Sequence, residues 1–585
     1  MNSLQLVKQE HWAAHALLTP DQMSAADALE IARGTPGYEL MERAGAHVAE
    51  AAEQMALALA GHGSPAGENE GGLDQGDVDL APSHVVMCVG PGNNGGDALV
   101  AARLLLGSRV RVQVLMLDAT RPRRGDAAIA LDHWNTAAAR HGAEDYAALT
   151  PDVLRRAIAG AAPTAPPCVI VDALLGAGLS RPATGDLGQI IAIINAARPQ
   201  VQVLSVDVPS GLDGATGQPI GPCVEADRTV TFFRKKPGHL LLPGKALCGE
   251  VALTNIGIAP AVLNDPAGMS PSIAAFGNDP ALWADLAALM RHAPGGEQTK
   301  FASNVHKYTR GAVLVRSGDL PRAGAARLAA HAALRAGAGL VTVAAPSTAL
   351  APAGTPPLAL MQASCDTPGD FADLLSDSRL RAVVLGPGAG VTPQLRTEIS
   401  AALAAPAALV LDADAISVFG TAAGGKVTEL TAGIASRTAP VILTPHEGEF
   451  SRLAAQLPGG ITDLPSKLER ARAMSSAIGA IIILKGADTV IAAPDGSAVI
   501  NDNAPHWLAT AGSGDVLSGI LAGLLAQEEP ARLDLCAAFK VACAGVWLHG
   551  KCGALASPGA IADDLAGTLA SAMSQLSCSD DEPAK

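Results

Sequence analysis

The chain has 585 residues and a formal net charge of −15, and it is 49% hydrophobic with only 3% aromatic side chains. That length exceeds one hydrophobic core and predicts roughly two to four domains. The acidic balance excludes nucleic acid as a main partner, because a phosphate backbone needs a basic face, but it leaves room for a nucleotide held by glycine turns.

With 62 glycines and 40 prolines, the composition suits closely packed helix-on-sheet layers better than an aromatic-rich sandwich. The nine cysteines, at 88, 168, 223, 248, 365, 536, 543, 552 and 578, form no C-x-x-C pair. Neither a metal cluster nor a disulfide framework is expected, and a cytoplasmic setting is. Residues 1–20 carry Lys8, Glu10 and two histidines and lack a signal-peptide core. The apolar runs are short and broken by Gly, Pro or charge, so no membrane span or membrane partner is expected.

The first half opens with a helical pattern over Ala25–Ala60, containing Leu40–Gly45. A Gly-rich polar segment, His62–Ser83, then reads as a flexible insertion. Apolar runs at Val85–Val89, Val110–Leu117, Val169–Val171, Val201–Val206 and Thr229–Phe233 alternate with helical segments. Such alternation predicts βαβ units and a mostly parallel sheet, whose ligands bind beyond the carboxyl ends of the strands. Three of those ends carry glycine and aspartate together: Gly90–Asp97, Asp172–Leu179 and Asp207–Gly214. One such turn is ordinary capping chemistry, but three at successive strand ends point to a site. The Asn-Asn-Gly-Gly turn is no G-x-G-x-x-G fingerprint, yet it offers amides and close backbone approach to a phosphorylated ligand. Asn94, Asp172 and Ser210 offer amide, carboxylate and hydroxyl oxygens, a donor set suited to a hard cation.

Leu40–Gly45, Asn93–Asp97, Asp172–Leu179 and Asp207–Gly211 resemble the YjeF N-terminal family, the NAD(P)H-hydrate epimerases, over about residues 20–258. The resemblance implies that Asn93, Asn94, Gly95, Gly96, Asp97, Gly176, Ala177, Gly178, Leu179, Ser180, Arg181, Pro182 and Asp207 contact hydrated NAD(P)H. It implies a potassium ion on Asn94, Asp172 and Ser210, with Asp172 also the candidate acid/base. Ala98 stands where that family usually has another glycine, and the insertion before Val85 is long.

Pro and Gly accumulate over 259–297, read as a linker between domains at 1–258 and 298–575. A second alternating series follows: Gly311–Val315, Leu340–Val343, Ala382–Leu385, Ala408–Leu411, Val441–Leu443 and Ile481–Leu484. Four of its strand ends bear chemistry, in Gly386–Gly390, Leu411–Asp414, Thr444–Glu449 and Lys485–Thr489. Singly, His446 reads as a turn or capping residue, and Lys485 as a solvated charge. Converging on one edge, they read as a phosphate site. Gly420–Lys426 has P-loop spacing, but Val427 stands where a hydroxyl must reach Mg²⁺ and Asp414–Phe419 read as helix, so it is taken as a loop. The stretch Thr510–Gly519 reads as a small-residue turn opening a helix, able to aim amides at an anion. Asp515, at the start of that helix, is placed to take a proton from a hydroxyl.

His306–Gly311, Gly324–Ala326, Gly337–Val341, Gly386–Gly388, Leu411–Ala415, Thr444–Glu449, Lys485–Thr489 and Leu508–Gly519 resemble the ribokinase-like superfamily, and within it the ADP-dependent NAD(P)H-hydrate dehydratases, over about 298–570. The resemblance implies that Ala325, Gly388, His446 and Asp515 contact hydrated NAD(P)H, while Lys485, Gly486, Ala487, Asp488, Thr489 and Gly514 hold the adenine nucleotide. Glu447 departs from the family's usual proline.

The expected fold is thus α/β in two domains: an N-terminal Rossmann-like three-layer αβα sandwich and a C-terminal ribokinase-like α/β domain. The expected activity is metabolite repair, with NADHX and NADPHX as substrates. One domain interconverts the R and S hydrates, and the other dehydrates the S form as ADP becomes AMP and phosphate. Catalysis falls to Asp172 and Asp515, with potassium in the first domain, magnesium and ADP in the second, and a homo-oligomer expected. The alternatives are a ribokinase-like vitamin or sugar kinase, which leaves the first half unexplained, and a degenerate nucleotide-binding regulator, which has no use for the candidate bases.

Overall fold

The computed structural model describes residues 10–61, 83–159, 168–176, 178, 181–265, 273, 275–286, 307–352, 354–420 and 424–577. The chain forms two compact units. One is Ala16–Ala274; the other joins Met1–His15 to Ala275–Lys585. The expected boundary therefore differs at both ends. A short helix, α1 (Glu10–Ala14), belongs to the C-terminal unit, where buried Trp12 packs edge-on to Phe276 with ring centroids 5.0 Å apart. The expected linker also carries structure, including strand Ala275–Gly277 and the turn Pro280–Trp283. Large apolar rings at Trp12, Phe276 and Trp283 find burial there, an apolar signal that Pro and Gly counts conceal.

In the N-terminal unit, the helix expected over Ala25–Ala60 is two helices, α2 (Pro20–Ala32) and α3 (Gly37–Gly61). Gly34, at φ +117°, takes the break between them. Thr19 starts α2 in a reciprocal cap: its Oγ1 accepts from Gln22 N (3.3 Å), and Gln22 Oε1 accepts from Thr19 N (3.0 Å). The insertion expected at 62–83 lies outside the described residues except for Ser83.

The sheet of this unit comprises β1 (Ser83–Val89), β2 (Val110–Met116), β3 (Ala147–Ala148), β4 (Cys168–Ala173), β5 (Gln202–Val206), β6 (Arg228–Phe232) and β7 (Glu250–Thr254). Its order is β3-β2-β1-β4-β5-β6-β7, parallel throughout. Val86, Cys88, Cys168, Ile170 and Val203 face a core shared with α6 (Pro151–Ala159) and α7 (Gly185–Ala197). The opposite face meets α3 and α4 (Asn93–Leu105), giving the three expected layers. Register sets Asp172 beside Cys88 on one side and Ser205 on the other, at the carboxyl ends of the central strands.

The C-terminal unit has strands β8 (Ala275–Gly277), β9 (Ala312–Arg316), β10 (Leu340–Ala345), β11 (Met361–Ser364), β12 (Leu380–Leu385), β13 (Ala408–Leu411), β14 (Val441–Leu443), β15 (Ile481–Leu484), β16 (Thr489–Ala492) and β17 (Ala498–Asn501). They run β8-β17-β16-β15-β14-β13-β12-β9-β10-β11. The pairs from β11 to β15 are parallel, but β16 is antiparallel to both its neighbours. The pattern did not predict that hairpin, because four-residue apolar strands leave too little periodicity to read.

Small residues let two helices meet closely here. Helix α8 (Ala323–Arg335) packs on α9 (Ser513–Leu525), and an ideal Cβ on Gly519 would overlap the Ala329 carbonyl oxygen. Gly512, in the turn that opens α9, also lies against α8: an ideal Cβ there would be 2.8 Å from Leu328 Cδ1. Gly519→Val is expected to destabilise the chain by about 1–3 kcal/mol through overpacking, read as a lower midpoint in denaturant. An unchanged midpoint contradicts this contact.

Candidate functional sites at two sheet edges

A cleft of about 510 Å³ opens beyond the carboxyl ends of β1, β4, β5 and β6 in the N-terminal unit. Asn93, Asn94, Asp97, Gly176, Gly178 and Asp207 line it, as the sequence predicts. Helix α4 begins at Asn93 behind Gly92, which makes no side-chain cap, so its first amides remain available to an anion. Gly95 has a packing role, since an ideal Cβ there would overlap the Gly90 carbonyl oxygen. Gly96 sits against Met41, 2.7 Å from its sulfur by the same construction. Arg181 and Pro182 do not line the cleft. Ala177, Leu179 and Ser180 lie outside the described residues.

Asp172 is the residue read from the sequence as candidate acid/base. It is fully buried and does not line the cleft. Its oxygens accept from Ser210 Oγ (2.6 Å), Ser210 N (2.8 Å), Ser205 Oγ (3.0 Å) and Leu174 N (3.4 Å). Burial pushes its carboxyl up, and these neutral donors offset the shift only in part. Asn94 Nδ2 donates to Leu175 O (2.9 Å), and Ser210 Oγ donates to the same oxygen (3.3 Å). Carboxylate, hydroxyl and carbonyl oxygens thus gather here, with Asn94 reaching the Leu175 carbonyl through Nδ2, and among the described residues no cation pairs with Asp172. That set fits a hard cation.

Asp207 occupies a left-handed turn at φ +65° and accepts from Thr231 Oγ1 (3.0 Å) and from Lys236 Nζ. Burial pushes its carboxyl up, but Lys236 outweighs burial and holds it below the usual range. Lys236 is 1% exposed and also donates to Thr231 Oγ1 (2.9 Å). Beneath it, burial brings His239 down to about 4, so this imidazole is neutral; it bonds Asp207 O at 2.8 Å. Burial, then Asp207 and Asp27, raise the Asp97 carboxyl well above its usual range. Asp27 and Lys236 line the cleft and were not anticipated. The lysine sits in Lys235-Lys236-Pro237-Gly238, a strand-end signal of the same kind as the aspartates.

In the C-terminal unit, Asp412 follows β13 directly and is 1% exposed. It accepts from Lys485 Nζ (2.7 Å) and Ser518 Oγ (2.6 Å). Burial acts against both charges, but their mutual attraction wins: the Asp412 carboxyl is lowered and the Lys485 ammonium is raised. Ala413 follows at φ +47°, and Asp414 then accepts from Gly390 N (2.7 Å), tying the glycine turn after β12 to the end of β13. An ideal Cβ on Gly514 would lie 3.2 Å from Lys485 Nζ, so the lysine reaches the Gly512–Gly514 turn. Burial, then Asp412, raises Asp515 to about 7 despite Lys485. Gly388, at φ +61°, stands beside Ala325: a Cβ there would be 3.3 Å from that of Ala325.

The other predicted residues take supporting positions. Thr489 Oγ1 donates to Gly486 O (2.7 Å) and accepts from Gly486 N (3.1 Å), closing the loop around Ala487. Asp488 pairs with buried Lys467 at 2.6 Å. His446 caps helix Glu447–Ala454: its Nδ1 accepts from Gly448 N (3.0 Å), while Glu449 Oε2 accepts from His446 N (3.0 Å). Glu447, in the proline position, pairs with Arg470 at 2.9 and 3.2 Å, so an ion pair steadies that loop. In the P-loop-like stretch, residues 421–423 lie outside the described residues, and Asp414–Ser417 is helical as read. Ser518, one helical turn beyond Gly514, was missed. So was His549, whose Nε2 lies 3.0 Å from Ser513 Oγ.

Comparison with known proteins agrees with this division. A family described as YjeF-related protein N-terminus matches residues 37–238, and one described as NAD(P)H-hydrate dehydratase matches 313–575. The bifunctional NAD(P)H-hydrate repair enzyme of Moorella thermoacetica is 33% identical over 529 residues, covering 88% of this chain and 88% of that one. Its Synechocystis counterpart is 35% identical over 481 residues, covering 80% and 81%. Among solved structures, an ADP/ATP-dependent NAD(P)H-hydrate dehydratase from Bacillus subtilis is 28% identical with a TM-score of 0.39, covering 50% of this chain and 97% of that one.

The Lys485–Asp412 pair generates a stability prediction. Lys485→Met leaves a buried carboxylate without its cation, at a cost of about 3–5 kcal/mol near neutral pH. The loss is expected to shrink in acid, where the unpaired carboxyl takes a proton. Equal denaturation midpoints for variant and parent at pH 7 contradict the pair's importance.

Proposed function

The chain belongs to the bifunctional NAD(P)H-hydrate repair enzymes, and we propose that its two sheet-edge sites divide that repair between them. The N-terminal domain is the epimerase that interconverts the R and S hydrates, and the C-terminal domain is the dehydratase that returns the S form to NAD(P)H. The observation that carries the assignment of residues is the position of Asp515, beside Lys485 and the Gly512–Gly514 turn, with a carboxyl raised to about 7.

Hydroxide is a poor leaving group, so the hydrate's hydroxyl is first phosphorylated by ADP and then eliminated as phosphate. Asp515 takes the hydroxyl proton as general base. The turn amides and Lys485 stabilise charge on the transferring phosphoryl group. Gly388 and Ala325 form the surface against which the hydrate lies, while the Lys485–Thr489 loop and Gly514 hold the nucleotide. Magnesium usually binds through one or two carboxylates plus nucleotide phosphates; here Asp414, which Asp515 feels electrostatically and which accepts from Gly390 N with one oxygen, is the carboxylate that would hold it. Bound there, the ion would neutralise phosphate charge.

In the epimerase, the first amides of α4, with Gly176 and Gly178 opposite them in the cleft, hold the dinucleotide. Potassium is assigned to Asn94, Asp172 and Ser210, supported by the Asp172 carboxylate, the Ser210 hydroxyl and the Leu175 carbonyl that Asn94 also reaches. It would supply the charge that keeps Asp172 ionised. A melting temperature higher in KCl than in choline chloride at equal ionic strength is expected, with the difference removed by Ser210→Ala. Identical melting in both salts contradicts the assignment.

Incubating the protein with mixed NADHX epimers and following NADH absorbance tests the whole reading. Complete ADP-dependent recovery is expected, with the dehydration rate rising with pH through about 7 as Asp515 ionises. Asp515→Asn should abolish recovery and spare epimerisation. Recovery without a nucleotide, or none at all, contradicts the proposal.

A further inference from the structure

We propose that Asp27 and Lys236, two cleft-lining side chains of the N-terminal unit, are the proton-transfer pair of the epimerase. The proposal rests on the epimerase reading above and names the groups that carry its chemistry.

The cleft narrows the choice by what its other carboxylates are already doing. Asp207 is engaged by Lys236 and Thr231. Asp172 is buried behind the cleft among four donors. Asp97 is only 9% exposed, and burial with two neighbouring carboxylates raises its carboxyl well above the usual range. Asp21 is exposed, and Asp126 lies against the start of α3 at Gly37. Asp27 differs from all of these. It projects from α2 into the cleft, accepts no hydrogen bond from the described residues, and feels Lys236 and Asp207 electrostatically. Burial, countered by Lys236, brings its carboxyl to about 6, so it is an available base at neutral pH. Lys236, which lines the cleft, uses two of its three N–H bonds on Asp207 and Thr231, and no third acceptor meets it among the described residues.

The reaction needs such a pair. Hydration of an enamine places the hydroxyl on the carbon bonded to nitrogen, so the hydrate is a cyclic hemiaminal. Asp27 takes the hydroxyl proton. The oxygen's electron pair forms the C=O bond as the C–N bond breaks, and that bonding pair passes to the ring nitrogen. The nitrogen takes a proton from the Lys236 ammonium, giving an open aldehyde. After the aldehyde turns, nitrogen attacks its other face, returning its proton to Lys236, and protonated Asp27 returns a proton to oxygen. No proton, electron or co-reactant is consumed, and only the configuration changes.

The test starts from R-NADHX with the full chain and saturating ADP, so that the chain's own dehydratase reports each epimerisation. Asp27→Asn is expected to lower kcat for R-NADHX at least about 100-fold with KM within about threefold, the scale of a lost acid/base group. Direct dehydration of S-NADHX and thermal melting should stay at parent values, and Asp27→Glu should restore part of the rate. In the parent, kcat for the R epimer should rise with pH through about 6, and this limb should vanish in Asp27→Asn. The groups facing Asp27 that shape the limb are Lys236, Asp207, Asp97, Asp21 and Asp126, with His239 beneath the lysine. Retention of more than a tenth of the epimerisation rate in Asp27→Asn, a loss confined to KM, or a flat parent profile overturns the pair. If the parent recovers S-NADHX but never R-NADHX, the epimerase reading itself falls, and the pair with it.

Discussion

Each domain depends on a lysine–aspartate pair at the carboxyl edge of its sheet: Lys236 with Asp207, and Lys485 with Asp412. The pairs are a constraint before they are a device. A charge at a strand end surrounded by apolar layers is tolerated only when paired and hydrogen-bonded, and here threonine or serine hydroxyls complete each pair. Both strand ends then turn through a left-handed residue, Asp207 in one domain and Ala413 in the other. Such strain at a strand end aims side chains that a regular turn would leave in solvent.

The pairs also decide what nearby carboxyls can do. Burial raises the next carboxyl along, Asp27 in one case and Asp515 in the other, and the negative charge of Asp207 or Asp412 adds to that rise. The lysine restrains that rise in both. The outcome is a carboxyl near neutrality at each site, able to accept a proton from a hydroxyl and to give it back. Two unrelated topologies thus reach the same electrostatic arrangement. The chemistry then divides by what stands opposite: a glycine turn suited to phosphate in one domain, and a free ammonium N–H in the other.

Much of this was legible in the sequence, for physical reasons. Val85–Val89 and Ile481–Leu484 announce buried strands because both faces are covered, Asn93–Asp97 announces a site because glycine and aspartate follow a strand, and Gly512–Asp515 does so because they open a helix. What escaped was whatever the chain brings from elsewhere. Asp27 lies on a helix that precedes the sheet, and no spacing ties it to Lys236, more than two hundred residues on. The fate of Asp172 was hidden too, since only register and the turn at Ser210 show that its oxygens are taken up by four donors. The hairpin Thr489–Asn501 and the helix at Trp12 were missed because short apolar runs carry little periodicity.

Carbon-13 NMR titration of the aspartate carboxyls, in the parent chain and in Asp27→Asn and Asp515→Asn, tests the shared arrangement most directly. The account predicts resonances with midpoints of about 6 and about 7, the first absent from Asp27→Asn and the second from Asp515→Asn. Aspartates that all titrate below pH 5, or near-neutral midpoints that survive both substitutions, contradict it.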